Sequence, residues 1–259
     1  TCFYPESGGQ PGDHGTLNGI NVVDTLEREE DHAVVHLLAA SLDSDAVQGR
    51  VDWPRRFDHM QQHTGQHILS QAFERLLDAE TVGFHLGDEV VTIDLALESL
   101  SPEQAVRVEE AANQVIYEDR PISCRFVTET ELRALPLRKP PKVAGNVRIV
   151  EVKDYDWSPC GGTHVRTAGE IGLIALRKWE RRGNTIRLDF LCGQRALADY
   201  RWKNEAVNRL SVVLSVQDRE LVETVERVLA EGNENRRQLN FAKEKLLEYE
   251  AADLVAGAS

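Results

Sequence analysis

The sequence predicts an α+β fold: a mostly antiparallel sheet with flanking helices, preceded by a small β-barrel-like unit and followed by a long helical segment. Three observations carry this expectation. Short β-type stretches separated by glycine turns fill residues 1–52, helical spacings and antiparallel-type strands share residues 53–193, and residues 194–259 are a proline-free run of helix formers. These three parts are the expected domains. Over 259 residues, a hydrophobic share of 41% and a charged share of 28% suit a chain that buries a core.

Taken in order, Asn21 to Thr25 and Ala33 to Ala39 read as strands, with Ser7-Gly8-Gly9 and Asn18-Gly19 as turns. The abrupt start at Thr1, without a Met, suggests the surviving part of a barrel that lacks its natural beginning. Phe57 to Leu77 reads as a helix, since Met60, Ile68, Leu69, Ala72, Phe73 and Leu76 fall at helical spacings. Val90 to Leu97 alternates as a strand, and Ser101-Pro102-Glu103-Gln104 opens a helix that should run to about Glu118. Further strands are expected at Ile122 to Val127, Val147 to Val152, Ile171 to Trp179 and Thr185 to Cys192. Beyond Gly193, a turn at Ser215-Val216-Gln217-Asp218, with Ser215 as cap, should separate two helices. The second places Leu221, Val225, Val228, Gly232, Asn235, Leu239, Ala242, Leu246 and Tyr249 on a heptad seam. Gly232 and Asn235 weaken its centre, so a lone amphipathic helix and a coiled coil that joins two copies both stay open. The end at Gly257-Ala258-Ser259 reads as a cut before another domain.

Composition removes several function classes. No apolar run approaches the roughly 18 to 20 residues that cross a bilayer, and Thr1-Cys2-Phe3-Tyr4-Pro5 carries no targeting pattern, so no membrane partner is expected. Four cysteines, Cys2, Cys124, Cys160 and Cys192, are too few and too scattered to staple the chain, which argues for a reducing, cytoplasmic setting. A formal charge of −13 disfavours indiscriminate wrapping of nucleic acid. Any nucleic-acid contact must be local, for which two basic groups offer themselves: Arg133, Arg138, Lys139, Lys142 and Arg148, then Arg177, Lys178, Arg181, Arg182 and Arg187.

His63-Thr64-Gly65-Gln66-His67 puts two imidazoles one turn apart on one helix face, where a pair can chelate one ion. Cys160-Gly161-Gly162-Thr163-His164 offers a second pair, its glycines letting the backbone fold tightly around a metal. His63, His67, Cys160 and His164 together make a tetrahedral set suited to zinc. Thr64 stands where a His-Glu-x-x-His peptidase carries its general base, which excludes that class, and no Gly-x-Ser-x-Gly elbow is present. Of the other histidines, His59 lies one turn before His63 and reads as a structural residue.

Phe3-Tyr4-Pro5-Glu6-Ser7-Gly8-Gly9-Gln10-Pro11-Gly12-Asp13, the His63–His67 segment and Ser158-Pro159-Cys160-Gly161-Gly162-Thr163-His164 occur in one order. In this the chain resembles the alanyl-tRNA editing proteins of the AlaX type, long form, and the editing domain of alanyl-tRNA synthetases, over about Thr1 to Gly193. Ser7 and Gly65 depart from residues common in the family, Gly and Ala, without removing a ligand. The resemblance implies a zinc-dependent, trans-acting hydrolase of tRNA(Ala) mischarged with serine or glycine. By position in the motifs it assigns Thr1 and Gln10 to substrate recognition and Gln10, His63 and His67 to catalysis. Such a sieve is needed because an alanine pocket rejects an added hydroxyl only on the order of 100-fold. Two alternatives stay open: removal of serine from tRNA(Thr), and a zinc-stabilised RNA-binding or assembly module without activity.

Overall fold

The computed structural model describes residues 1–44, 46–140 and 145–257; Lys142 of the first basic group, and the Ala258-Ser259 end, lie outside them. The described residues form two compact units, Thr1–Ala198 and Asp199–Ser259.

The first unit opens with β1 (Gly15–Leu17), β2 (Ile20–Glu27), β3 (Val34–Leu38) and β4 (Gly49–Val51), an open sheet of order β3-β2-β1-β4 around Phe3, Leu17 and Val22. No closed barrel is formed among the described residues, because β3 and β4 remain edges. Helix α1 (Trp53–Leu77) begins four residues before the expected Phe57, since Asp52 caps it by accepting from Arg55 N at 3.3 Å and Pro54 suits its first turn. It ends at Asp78 in the left-handed region, φ 51°.

Two antiparallel sheets surround α1. One has the order β10-β11-β6-β5, from β5 (Thr81–Leu86), β6 (Val91–Leu95), β10 (Ile174–Arg182) and β11 (Thr185–Cys192). The other runs β7-β8-β9, from β7 (Ile122–Val127), β8 (Val147–Val152) and β9 (Asp156–Pro159). Helix α2 (Pro102–Tyr117) carries a full capping box: Ser101 Oγ accepts from Gln104 N and Gln104 Oε1 from Ser101 N. A single turn, α3 (Glu129–Leu132), is capped in the same way by Thr128. The core of the unit joins Ile68, Leu69 and Phe73 of α1 to Val108 and Ala112 of α2 and to Ile93, Leu188 and Phe190 of the larger sheet.

Differences from the expected elements have local causes. β5 and β9 were not expected: a bulge between Thr81 and Gly83 breaks the alternation of β5, and Pro159 ends the short edge strand β9. β10 starts at Ile174 rather than Ile171, because Ala168–Ile171 is a 3-10 turn closed by Gly172 at φ 84°.

Helix α4 (Gly193–Leu214) leads into the second unit, which ends in α5 (Leu221–Gly257). Ser215 does not cap α5: it stops α4 at φ 54°, and a 3-10 turn, Asp218–Glu220, precedes α5, with Gln217 N donating to Glu220 Oε2 at 3.1 Å. Of the expected seam, Leu221 is buried while Val225, Val228, Leu239, Leu246 and Tyr249 are exposed. Among the described residues, no helix is long and apolar enough to cross a membrane.

Candidate metal centre

Helix α1 is unusual in its composition for its depth. From Gln61 to Ser70 every residue is buried, although seven of the ten are polar, so those side chains must find partners inside the protein. Gln62 grips the end of β11, its Nε2 donating to Cys192 O at 3.0 Å and its Oε1 accepting from Cys192 N at 2.8 Å. Gly65 is the point of closest approach. A Cβ there would collide with Cys192 Sγ, which explains why the helix accepts a residue that weakens it by about 1 kcal/mol relative to Ala.

This packing aims His63 and His67 at the loop after β9. The ligand atoms of His63, His67, Cys160 and His164 all lie within 4.8 Å of one another, a group that could hold a metal ion. Cys160 Sγ is 3.4 Å from both His63 Nε2 and His164 Nε2. That matches the roughly 3.3 to 3.8 Å edges of a tetrahedron with bonds of about 2.0 to 2.3 Å. Gly162 makes the approach feasible, since a Cβ there would overlap the His63 ring. Arg148 holds the loop by donating Nη1 to Cys160 O at 2.6 Å and to Gly162 O at 3.0 Å.

Every imidazole of the group is held from behind through Nδ1. His63 Nδ1 is 2.8 Å from Gln10 Oε1, His67 Nδ1 is 3.2 Å from Asp156 Oδ2, and His164 Nδ1 is 3.1 Å from Thr64 Oγ1. The Thr64 hydroxyl donates to Met60 O at 2.7 Å and therefore accepts from His164. With Nδ1 held from behind, each ring turns its Nε2 inward, where it hydrogen-bonds the thiolate when protonated and would offer a lone pair to a metal when not. Asp156 is fully buried and also accepts from Arg138 Nε at 2.9 Å and Ser158 Oγ at 2.9 Å.

Electrostatics favour a thiolate at the centre. Burial opposes ionisation of Cys160, but the charge of His63 and hydrogen bonds from His164 and His63 hold its thiol well below the usual range. For His67 burial acts downward, yet hydrogen bonds to Asp156 and Cys160 lift it to about 9. His164 is pulled down to about 3, chiefly by burial. A thiolate amid three imidazoles is a donor set that fits zinc.

The group opens onto a cleft of about 450 Å³ lined also by Tyr4, Ser7, Gln66, Thr81, Phe84 and Arg138. The sequence-selected residues are only partly assembled there. Gln10 is buried against the centre: Oε1 accepts from His63 Nδ1 and from Thr163 N at 3.1 Å, and Nε2 donates to Thr163 Oγ1 at 2.8 Å. Thr1 lies outside the cleft; it is exposed, with Oγ1 2.9 Å from His36 Nε2. His59 is buried and held down to about 4, first by burial and then by the charge of Arg55, and is not part of the metal group. Thr64 and Asp156 were not selected from sequence as parts of the site, and Arg138 and Arg148 only as members of a basic group, because the partners they hold are 12 to 100 residues away and no local pattern marks them.

The chain is similar in sequence to several known proteins. The family described as "Threonyl and Alanyl tRNA synthetase second additional domain" matches residues 147–188, which include Cys160 and His164. The alanine–tRNA ligase of Pyrococcus abyssi is 34% identical over 266 residues, covering 96% of this chain and 29% of that protein. The alanyl-tRNA editing protein AlaX-L of Pyrococcus horikoshii is 38% identical over 207 residues, covering 76% of this chain and 51% of that protein. The alanyl-tRNA editing protein Aarsd1-B of Xenopus laevis is 33% identical over 233 residues, covering 88% and 56%. The chain thus spans about half the length of the editing proteins and under a third of the ligase. It belongs to the family of the alanyl-tRNA editing proteins and the corresponding region of the alanine–tRNA ligases.

Proposed function

We propose that this chain is a zinc-dependent aminoacyl-tRNA deacylase, acting in the cytoplasm, that hydrolyses the ester of Ser-tRNA(Ala) and also accepts Gly-tRNA(Ala). The observation that carries this reading is the preset group of three imidazoles and one thiol at the edge of an open cleft, in a chain whose relatives are named for alanyl-tRNA editing. His63, His67, Cys160 and His164 would hold the ion. When bound, zinc supplies Lewis acidity toward a carbonyl oxygen and toward water.

The chain's own residues do the positioning. Gln10, Asp156 and Thr64 fix the three imidazoles, Arg148 fixes the Cys160 loop, and Phe84 packs on the His63 ring with centroids 5.1 Å apart. Arg138 and Lys139 supply positive charge at the cleft, suited to the phosphates of a tRNA end. In this reading residues 1–52 complete the centre through Gln10, 53–193 form the editing domain, and 194–259 form an accessory helical segment. A second copy is the proposed partner of α5, whose exposed apolar residues sedimentation at rising concentration would find covered.

The reading is tested by deacylation of Ser-tRNA(Ala), Gly-tRNA(Ala) and Ser-tRNA(Thr), with His63→Ala and Cys160→Ala as controls. Turnover of the first two that both variants abolish, together with loss of zinc, is expected. Full activity in zinc-free variants contradicts the assignment; preference for Ser-tRNA(Thr) contradicts the substrate; and no turnover by zinc-loaded chain points to a binding module.

A further inference from the structure

Gln66 has no part in holding the metal group, although it sits between its two helical members. Its side chain is 6% exposed and lines the cleft. Nε2 is committed: it donates to Ser70 Oγ at 2.7 Å, and Ser70 Oγ accepts from Thr81 Oγ1 at 2.7 Å. This pair of hydroxyls, both buried, fixes the plane of the amide. Oε1, in contrast, accepts a hydrogen bond from none of the described residues and is not among the atoms sealed from solvent. A nearly buried amide is therefore held with one acceptor free, beside a cleft that its neighbours line.

Three other polar side chains there are already engaged. The Tyr4 hydroxyl donates to Ser7 O, Ser158 donates to Asp156, and Arg138 is paired with Asp156. No carboxylate lines the cleft among the described residues, whereas Arg138 and Lys139 do. The Cys160 thiolate belongs to the metal group, and a ligand's neutral hydroxyl suits the neutral carbonyl acceptor of Gln66.

We infer that Gln66 is a specificity-determining residue, its Oε1 accepting from the side-chain hydroxyl of a seryl group whose ester lies at the metal group. This rests on the proposed deacylase reading and deepens it. An alanyl group that fills the cleft would leave Oε1 unpaired, and that asymmetry separates serine from alanine.

The test measures binding, so that it does not depend on turnover. Calorimetry compares the non-hydrolysable amides 3′-(L-seryl)amino-3′-deoxyadenosine and its L-alanyl counterpart on zinc-loaded full chain and on Gln66→Met, which keeps volume and removes the acceptor. The wild type is expected to prefer the seryl amide by about 10- to 100-fold, and Gln66→Met to bring the two within about 3-fold with zinc content unchanged. Gln66→Glu, which keeps an acceptor, should retain the preference and stands in if the Met variant does not fold. A preference that survives Gln66→Met, or its absence from the wild type, overturns the inference. Failure of deacylation with the seryl preference intact would instead count against the hydrolase reading alone.

Discussion

Asp156 joins the buried Arg138 guanidinium and the His67 ring through one carboxylate, which makes it the most consequential residue behind the centre. Asp156→Ala is expected to weaken zinc affinity about 10- to 100-fold, read by competition with a chelator, and unchanged affinity would contradict the positioning role. Gly65 gives a prediction whose sign opposes helix propensity. Gly65→Ala should destabilise by about 1–3 kcal/mol in denaturant unfolding, because the methyl meets Cys192 Sγ. Adding Cys192→Ala should recover part of that loss; a stabilised single variant contradicts the contact. His59 supplies a pH signature. Its imidazole is held down to about 4 from an ordinary 6.5, so between those values the unfolded chain binds more protons than the folded one. The stability owed to a neutral His59 is therefore complete above pH 6.5 and lost as pH falls toward 4. Its ring resonances in NMR should titrate near 4, and a midpoint near 6.5 would contradict its burial. The four ligands were legible in sequence through their two four-residue spacings. Thr64 and Asp156 were not, since a buried hydrogen bond across 89 or 100 residues leaves no periodic trace.

At the scale of elements, sequence was most informative where local chemistry decides the outcome. The capping box at Ser101 and the alternation at Ile122–Val127, Val147–Val152 and Thr185–Cys192 led to elements found at those bounds or within a residue of them. Ser101→Ala should cost about 1 kcal/mol of stability in chemical denaturation with little change in denaturant dependence, and a negligible loss would contradict the capping assignment. Where tertiary contacts override pattern, sequence was silent. β9 is four residues ending in proline and exists because β8 pairs with it, yet it delivers Cys160 to the centre. The left-handed Ser215 shows the limit in the other direction: a residue that reads as a helix start proved to be a helix stop.

On the scale of the molecule, the centre lies where separate parts of the chain converge. Residues 1–52 contribute Gln10, α1 contributes His63 and His67, and the loop after β9 contributes Cys160 and His164, with Asp156 holding His67 and Arg148 holding that loop, both from the smaller sheet. An ion held by such distant segments binds the folded state alone, so its removal should lower the unfolding temperature of the first unit. The central claim is that these four side chains hold one zinc. X-ray absorption at the zinc edge tests it most directly: the account predicts one zinc per chain, with three nitrogen ligands at about 2.0 to 2.1 Å and one sulfur at about 2.3 Å. A shell without sulfur, or a Cys160→Ala variant that leaves the spectrum unaltered, would contradict it.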